Sequence, residues 1–536
     1  VSGDLTVGSG GYATYDLNYG TGSLSANNET IGGSGGTGTF TQWGGTNTVT
    51  TELKLGTYSG NGTYNLHWGS LSATNETIGD SGTGVFNQSG GTNYLSGTLN
   101  IGANSGSSGS YDMSGGSLWT NNEMIGGYGG GSGSFTQSGS ATHDVTGYLD
   151  ITNGTYDLSG TGSLNVGSGE NITNGSFTQN DSTTHTVSGD LTVGSGGYAT
   201  YDLNSTGSLS ANNETIGGSG GTGTFTQNGG TNTVTTDLKL GTASGNGTYN
   251  LNSGSLSAGS EIIGSSGTGT FNQFDGTHII DSLIIAENVG SSGTYNMAGG
   301  TLTVNNSMIN NDTFNMSGGT VNANGFGLTN NGVMNLSGTT TTINGDVTNS
   351  ASGTIKTIDT TMYFTGTFTN HGIYYSDPSN NYFEDLVVGS TGYLLGGVGD
   401  NFFIEGDFIN NSLETALWDT TDAYLGFTGT GLHEFHMDDW SLADEFIWGT
   451  MELSDGGSLS LMGDLTGDLY VDNLILGENT NLNLNGFNLF YSSFESTGGT
   501  VSGGQLIDVN APPVPEPTTI ALLGIGLAGL AGAEVR

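Results

Sequence analysis

One aromatic residue returns in a fixed local frame along most of this chain, and that recurrence limits what the chain can become. Phe40, Phe86, Phe135, Phe177, Phe225 and Phe271 stand in the frame G-[ST/V]-F-[TN]-Q. Tyr15, Tyr64, Tyr111, Tyr156, Tyr201, Tyr249 and Tyr295 stand in a second frame, mostly G-T-Y-[DN]-[LM]. The two series interleave, so a coil is about 23 residues and the full two-coil unit about 46. Residues 1–18, VSGDLTVGSGGYATYDLN, recur unchanged at 187–204, and TGSLSANNETIGGSGGTGTFTQ at 21–42 recurs at 206–227. A block of several units has been duplicated.

Within each coil lie short alternating runs such as T-Y-N-L, S-L-S-A and T-V-T-T-D-L-K-L. Alternation at period two marks half-buried strands. Gly pairs and Asn-Gly steps between the runs supply turns. Strands this short are stable only when each pairs with its copy in the next coil and the inward side chains merge into one core. The pattern predicts an all-β chain, a parallel β-helix (solenoid) of about 20–25-residue coils. Residues 1–375 would hold roughly 16 coils and span about 75 Å at 4.8 Å per coil. The Tyr and Phe residues named above would form a ladder inside it, beside ladders of Leu, Ile and Val. From about residue 376 Gly falls and bulky residues rise, as in NNYFEDLVVG and EFIWGTMEL. Residues 376–510 are predicted as a C-terminal β-region continuing or capping the solenoid, because an open coil end exposes unpaired backbone groups.

Composition narrows the function. The chain has 536 residues, 101 of them Gly, no Cys, and 48 acidic residues against four basic ones, for a net charge of -44. Low hydrophobicity with high charge ordinarily reads as disorder, but disordered linkers do not hold aromatic register. Nucleic-acid binding needs clustered Lys and Arg, and the only cations are Lys54, Lys239, Lys356 and Arg536. Anionic lipid surfaces are disfavoured for the same reason. The acidity keeps a secreted, salt-exposed protein soluble by self-repulsion. Lack of Cys fits an extracytoplasmic bacterial protein, and a chain opening at Val1 is expected to have lost a signal peptide.

The tail carries an address. Pro515, Glu516 and Pro517 precede an uncharged run from Thr518 to Ala533, short for a membrane span. It is expected to form a short apolar helix, so 511–536 is read as a sorting and transient membrane segment. These residues resemble the PEP-CTERM sorting signal of Gram-negative bacteria, a Pro-Glu-Pro triplet, an apolar helix and a basic cluster. Here the cluster is represented only by Arg536. The resemblance implies recognition by an exosortase-type processing enzyme, and an extracellular or outer-surface location after export and tail processing. It also implies an association with exopolysaccharide, biofilm or extracellular matrix. The glycine-rich coils are similar, more loosely, to the repeats of PEP-CTERM and autotransporter-like surface proteins.

Chemistry is sparse. Parallel β-helices include polysaccharide-degrading enzymes, but the resemblance to those lyases requires Arg or Lys that this body lacks. Lys54 and Lys239 are copies of one repeat position. His433 and His436 are three apart in a strand-like stretch, not four apart on a helix as a zinc-binding HExxH needs. Strand alternation puts them on opposite faces, and Asp438-Asp439 has no basic partner nearby. No catalytic or metal-binding residue is assigned, and no cofactor is expected. The recurring NNET glutamates, Glu29, Glu214 and the related Glu76 and Glu123, are read as a solvated row on one corner, or a weak site for Ca²⁺. The expected function is that of a non-enzymatic structural or adhesive surface protein, with self-association or exopolysaccharide as partner. An alternative is a carbohydrate-binding adhesin with its specificity in 376–510, where Trp418, Trp440 and Trp448 would stack on sugars if exposed and form core if buried.

Overall fold

The computed structural model describes residues 3–18, 20–127, 129–437, 448–454, 456–463 and 468–511. Each coil has three sides. In the coil of Phe40, Thr37–Gln42 is the first side, and Thr46–Leu55 bends where its register slips between Val49 and Glu52, supplying the second and third. The next coil repeats this with Asn61–Leu66 and Ser70–Ile78. Equivalent strands pair in parallel: Phe40 lies opposite Tyr64, Tyr64 opposite Phe86, and Phe86 opposite Tyr111. The described residues form 51 strands in one continuous sheet of about 21 turns, with no helix. At about 4.8 Å per turn the stack extends roughly 100 Å. The short apolar helix expected in the tail lies outside the described residues.

The alternating runs explain the strands. In Thr37–Gln42 the residues Gly38, Phe40 and Gln42 are buried, while the three threonines between them face outward. β-Branched Thr suits the pleated outer surface. Inside, rings from Tyr15 to Tyr295 stack with centroids 4.6–5.1 Å apart and planes within 18° of parallel. Parallel pairing fixes this spacing, since each ring sits one rung above its equivalent. From Phe40 onward these rings are fully buried, whereas Tyr15, in the first coil, is only partly covered.

The corner after the third side is closed by glycine in most of the aromatic coils, and Ala286 takes the equivalent place at φ +58°. Gly32, Gly56, Gly217 and Gly241 share φ values of +67° to +73°. A Cβ on Gly217 would lie 2.0 Å from the carbonyl oxygen of Asn246, where the first side of the Tyr249 coil begins. The backbone of one coil therefore passes where a side chain would stand.

Beyond Thr301 the coils shorten and the core changes. Asn310, Asn330, Asn349 and Asn370 stack inside, each amide donating to the next Oδ1 at 2.7–2.8 Å. Stacking then runs on into the bulkier C-terminal segment. Thr361–Asn370 pairs with Asn380–Val388, and Asp468–Leu476 with Asn488–Ser496, which pairs with Gln505–Asp508. The described part of residues 376–508 is laid down as further coils of the same stack.

Replacing Gly217 with Ala should lower the urea midpoint. The left-handed φ alone costs about 1–2 kcal/mol, and overlap with Asn246 adds to it. Gly11→Ala, where a Cβ would meet nothing within 4 Å, should leave the midpoint nearly unchanged. Phe225→Ala should cost about 3–5 kcal/mol, read in the same titration.

Candidate functional site

Polar side chains are buried in the core at regular intervals. The first-side residue two after each Phe is Gln, whereas after each Tyr it is Leu or Met. The second side of each Phe coil carries Asn47, Asn93, His143, His185, Asn232 or His278, where Tyr coils carry Leu. The third side of the Tyr coils from Tyr15 to Tyr249 carries Glu29, Glu76, Glu123, Glu170, Glu214 or Glu261, and that of the Tyr295 coil carries Met308. All of these polar side chains are at most 2% exposed.

They meet across three coils in sets of four. Asn47 Nδ2 donates to Glu29 Oε2 at 3.0 Å and to the Tyr64 hydroxyl at 3.2 Å, and Tyr64 donates to Gln42 Oε1 at 2.6 Å. Glu76, Asn93, Tyr111 and Gln88 repeat the arrangement, as do Glu214, Asn232, Tyr249 and Gln227. In the other three sets His replaces Asn. His143 Nδ1 lies 2.9 Å from the Tyr156 hydroxyl and its Nε2 2.9 Å from Glu123 Oε2. His185 bridges Tyr201 and Glu170 in the same way, and His278 bridges Tyr295 and Glu261. The Gln amide in turn donates to backbone carbonyls, as Gln227 does to Gly230 and Ser255.

The expectation for the NNET glutamates is thus corrected. Glu29, Glu76, Glu123 and Glu214 are neither a solvated row nor a surface cation site; they point into the core. The sequence carries the signal: Glu29 is two residues from Ile31, so alternation puts both inside, although charge alone argues for exposure. Burial pushes the carboxyl of Glu76 up to about 8 and those of Glu29 and Glu214 up to about 7, from 4.5, against the amide of Asn93, Asn47 or Asn232, which pulls the other way. The Oε1 of each has no hydrogen-bond partner among the described residues, as suits a neutral acid better than a carboxylate. Tyr–His–Glu sets also occur in acid–base catalysis, but here the side chains are at most 2% exposed.

The other candidates are scattered. Lys54 pairs with Glu52 at 3.3 Å and Lys239 with Asp237 at 2.9 Å, both at the surface. His433 is buried and bonded to the Gly406 carbonyl, while His436 faces outward beside Glu434, so the strand separates them. Among the described residues no three His, Asp or Glu side chains converge as a metal site. Trp418 and Trp448 are buried and belong to the core. Trp440, Asp438, Asp439, Pro515, Glu516 and Pro517 lie outside the described residues.

Fold and sequence together define a parallel β-solenoid carrying an export address. Residues 513–536 match the PEP-CTERM protein-sorting motif. That motif implies processing by an exosortase-type enzyme, and export to the cell envelope or surface. Residues 172–417, wholly within the stacked coils, match the TamB C-terminal domain. No curated protein and no solved structure matches the chain.

Stability should depend on pH through the Asn sets. Glu76 holds its proton up to about 8 when folded, against 4.5 when unfolded, so the folded state binds more protons between those values. Stability therefore falls as pH rises through that window, by about 1.4 kcal/mol per unit of raised pKa once both states are ionised. Glu76→Gln should leave the urea midpoint little changed at pH 4 and raise it relative to the parent at pH 9.

Proposed function

We propose that this is a non-enzymatic surface protein that works as a rigid spacer or matrix element, delivered by an exosortase-type route. The carrying observation is the unbroken parallel stack: one sheet runs from the first coil to Gln505–Asp508, in a chain that bears the sorting motif. Such a rod presents the same outer positions at every rung, which suits cohesion with copies of itself or with exopolysaccharide. The acidic exterior keeps the rods apart from anionic lipid and nucleic acid. The dearth of Arg and Lys, and the enclosure of the His–Glu–Tyr sets, argue against polysaccharide cleavage on this scaffold.

Alanines in place of Pro515, Glu516 and Pro517, in the cells that make the protein, test the route. The variant should accumulate unprocessed at the inner membrane, and parent-like processing and surface display would refute the exosortase reading. Deleting the chain should weaken cell cohesion or matrix retention, and unchanged cohesion would refute the structural role.

A further inference from the structure

The outer face of the second side carries one residue per coil, mostly small and polar, and in the first block two adjacent coils place aromatic residues there. Ser25, Thr48 and Ser72 lead into Tyr94 and Trp119, followed by Asp144 and Asn165. Ser72 stands opposite Tyr94 in the ladder, and Trp119 opposite Asp144. In the duplicated block the positions of Tyr94 and Trp119 hold Ile279 and Thr303, followed by Asn322 and Asn344. The fold is thus built equally well without the aromatic pair, so packing does not account for it.

The pair is held in place. Tyr94 and Trp119 are 48% and 44% exposed, with ring centroids 6.3 Å apart and planes nearly perpendicular. The indole Nε1 of Trp119 donates to Asp144 Oδ2, and Asn165 Nδ2 donates to Asp144 Oδ1 at 2.7 Å. One carboxylate therefore fixes the Trp ring from one side and is itself fixed from the other. These residues line a groove of about 730 Å³ that crosses five coils, from Tyr94 to Ser188, or roughly 20 Å at the rung spacing. Its remaining polar surface comes from short Ser, Thr and Asn side chains at the following corner, and among the described residues no Lys, Arg or His lines it.

We propose that this groove binds a neutral polysaccharide chain. Hexose rings offer apolar C–H faces to the two aromatic rings, and equatorial hydroxyls to Asp144, Asn165 and the corner hydroxyls. An aromatic platform with fixed acceptors beside it meets both halves of that chemistry. The length of the groove suits several sugar units rather than one. Asp144, in a groove lined by no cation among the described residues, disfavours uronate-rich or sulfated polymers and nucleic acid by like-charge repulsion. The proposal rests on the surface reading above only for where the glycan would be met; binding by purified protein does not depend on export.

The test is affinity electrophoresis of the full chain in gels containing dextran, mannan, galactan, a soluble β-glucan or polygalacturonate. At least one neutral polymer should retard the parent, and polygalacturonate should not. Trp119→Thr installs the residue of the duplicated coil, so the fold should survive, as its urea midpoint will report, while affinity should fall roughly tenfold or more. Trp68→Ser, likewise the residue of the duplicate at another exposed site, should bind as the parent does. Failure of every neutral polymer to retard the parent would overturn the proposal. So would retardation by polygalacturonate alone, or undiminished binding by a folded Trp119→Thr.

Discussion

Parallel pairing between equivalent strands one coil apart is the constraint on which everything else here depends. It sets each inward side chain about 4.8 Å above its counterpart, so every core position becomes a ladder. Flat rings tolerate that spacing well, and the Tyr and Phe planes stack almost parallel from Tyr15 to Tyr295. The same spacing leaves little room for a Cβ at the corner after the third side, and glycine holds most of those corners in the aromatic coils.

A ladder core has a weakness of register. If all coils were alike, a slip of one coil would cost little except at the ends. The buried sets of Glu, Asn or His, Tyr and Gln remove that degeneracy. Each draws on three successive coils, and a one-coil slip would set Gln over Gln and strip the Tyr hydroxyl of its acceptor. Leaving such groups unpaired in the core costs about 1–3 kcal/mol each, repeated along the stack. The two-coil period of the sequence is therefore the period of its polar core. Where that core gives way to the ladder of Asn310, Asn330, Asn349 and Asn370, single coils become equivalent and shorter.

The exterior answers to different rules. Outward Asn side chains form hydrogen-bonded rows of their own, as Asn272, Asn296 and Asn315 do at 2.8 Å. Such positions accept many residues without harm to the stack. The first block uses that freedom for aromatic residues where the second keeps smaller ones. In a repeat protein the duplicate serves as a control: what both copies share belongs to folding, and what one copy adds calls for another explanation.

Much of this architecture was legible from residue order. The alternation within T-Y-N-L and its recurrence required stacked strands, and the aromatic frames marked the inner face, because period and register are local properties. Pro515, Glu516 and Pro517 likewise carry their address as a linear motif. The fate of Glu29 and its counterparts was not legible in the same way, although alternation placed them inside, because a lone carboxylate is ordinarily expelled to solvent. Its partners Asn47, Tyr64 and Gln42 come from two other coils and different sides, and only the closed stack brings them together. The same holds for Trp119 and Asp144: they are 25 residues apart in the chain and adjacent across one rung. Strand identity is set by neighbours in sequence, whereas polar partnership and surface grooves are set by neighbours between coils, which exist only once the chain has wound.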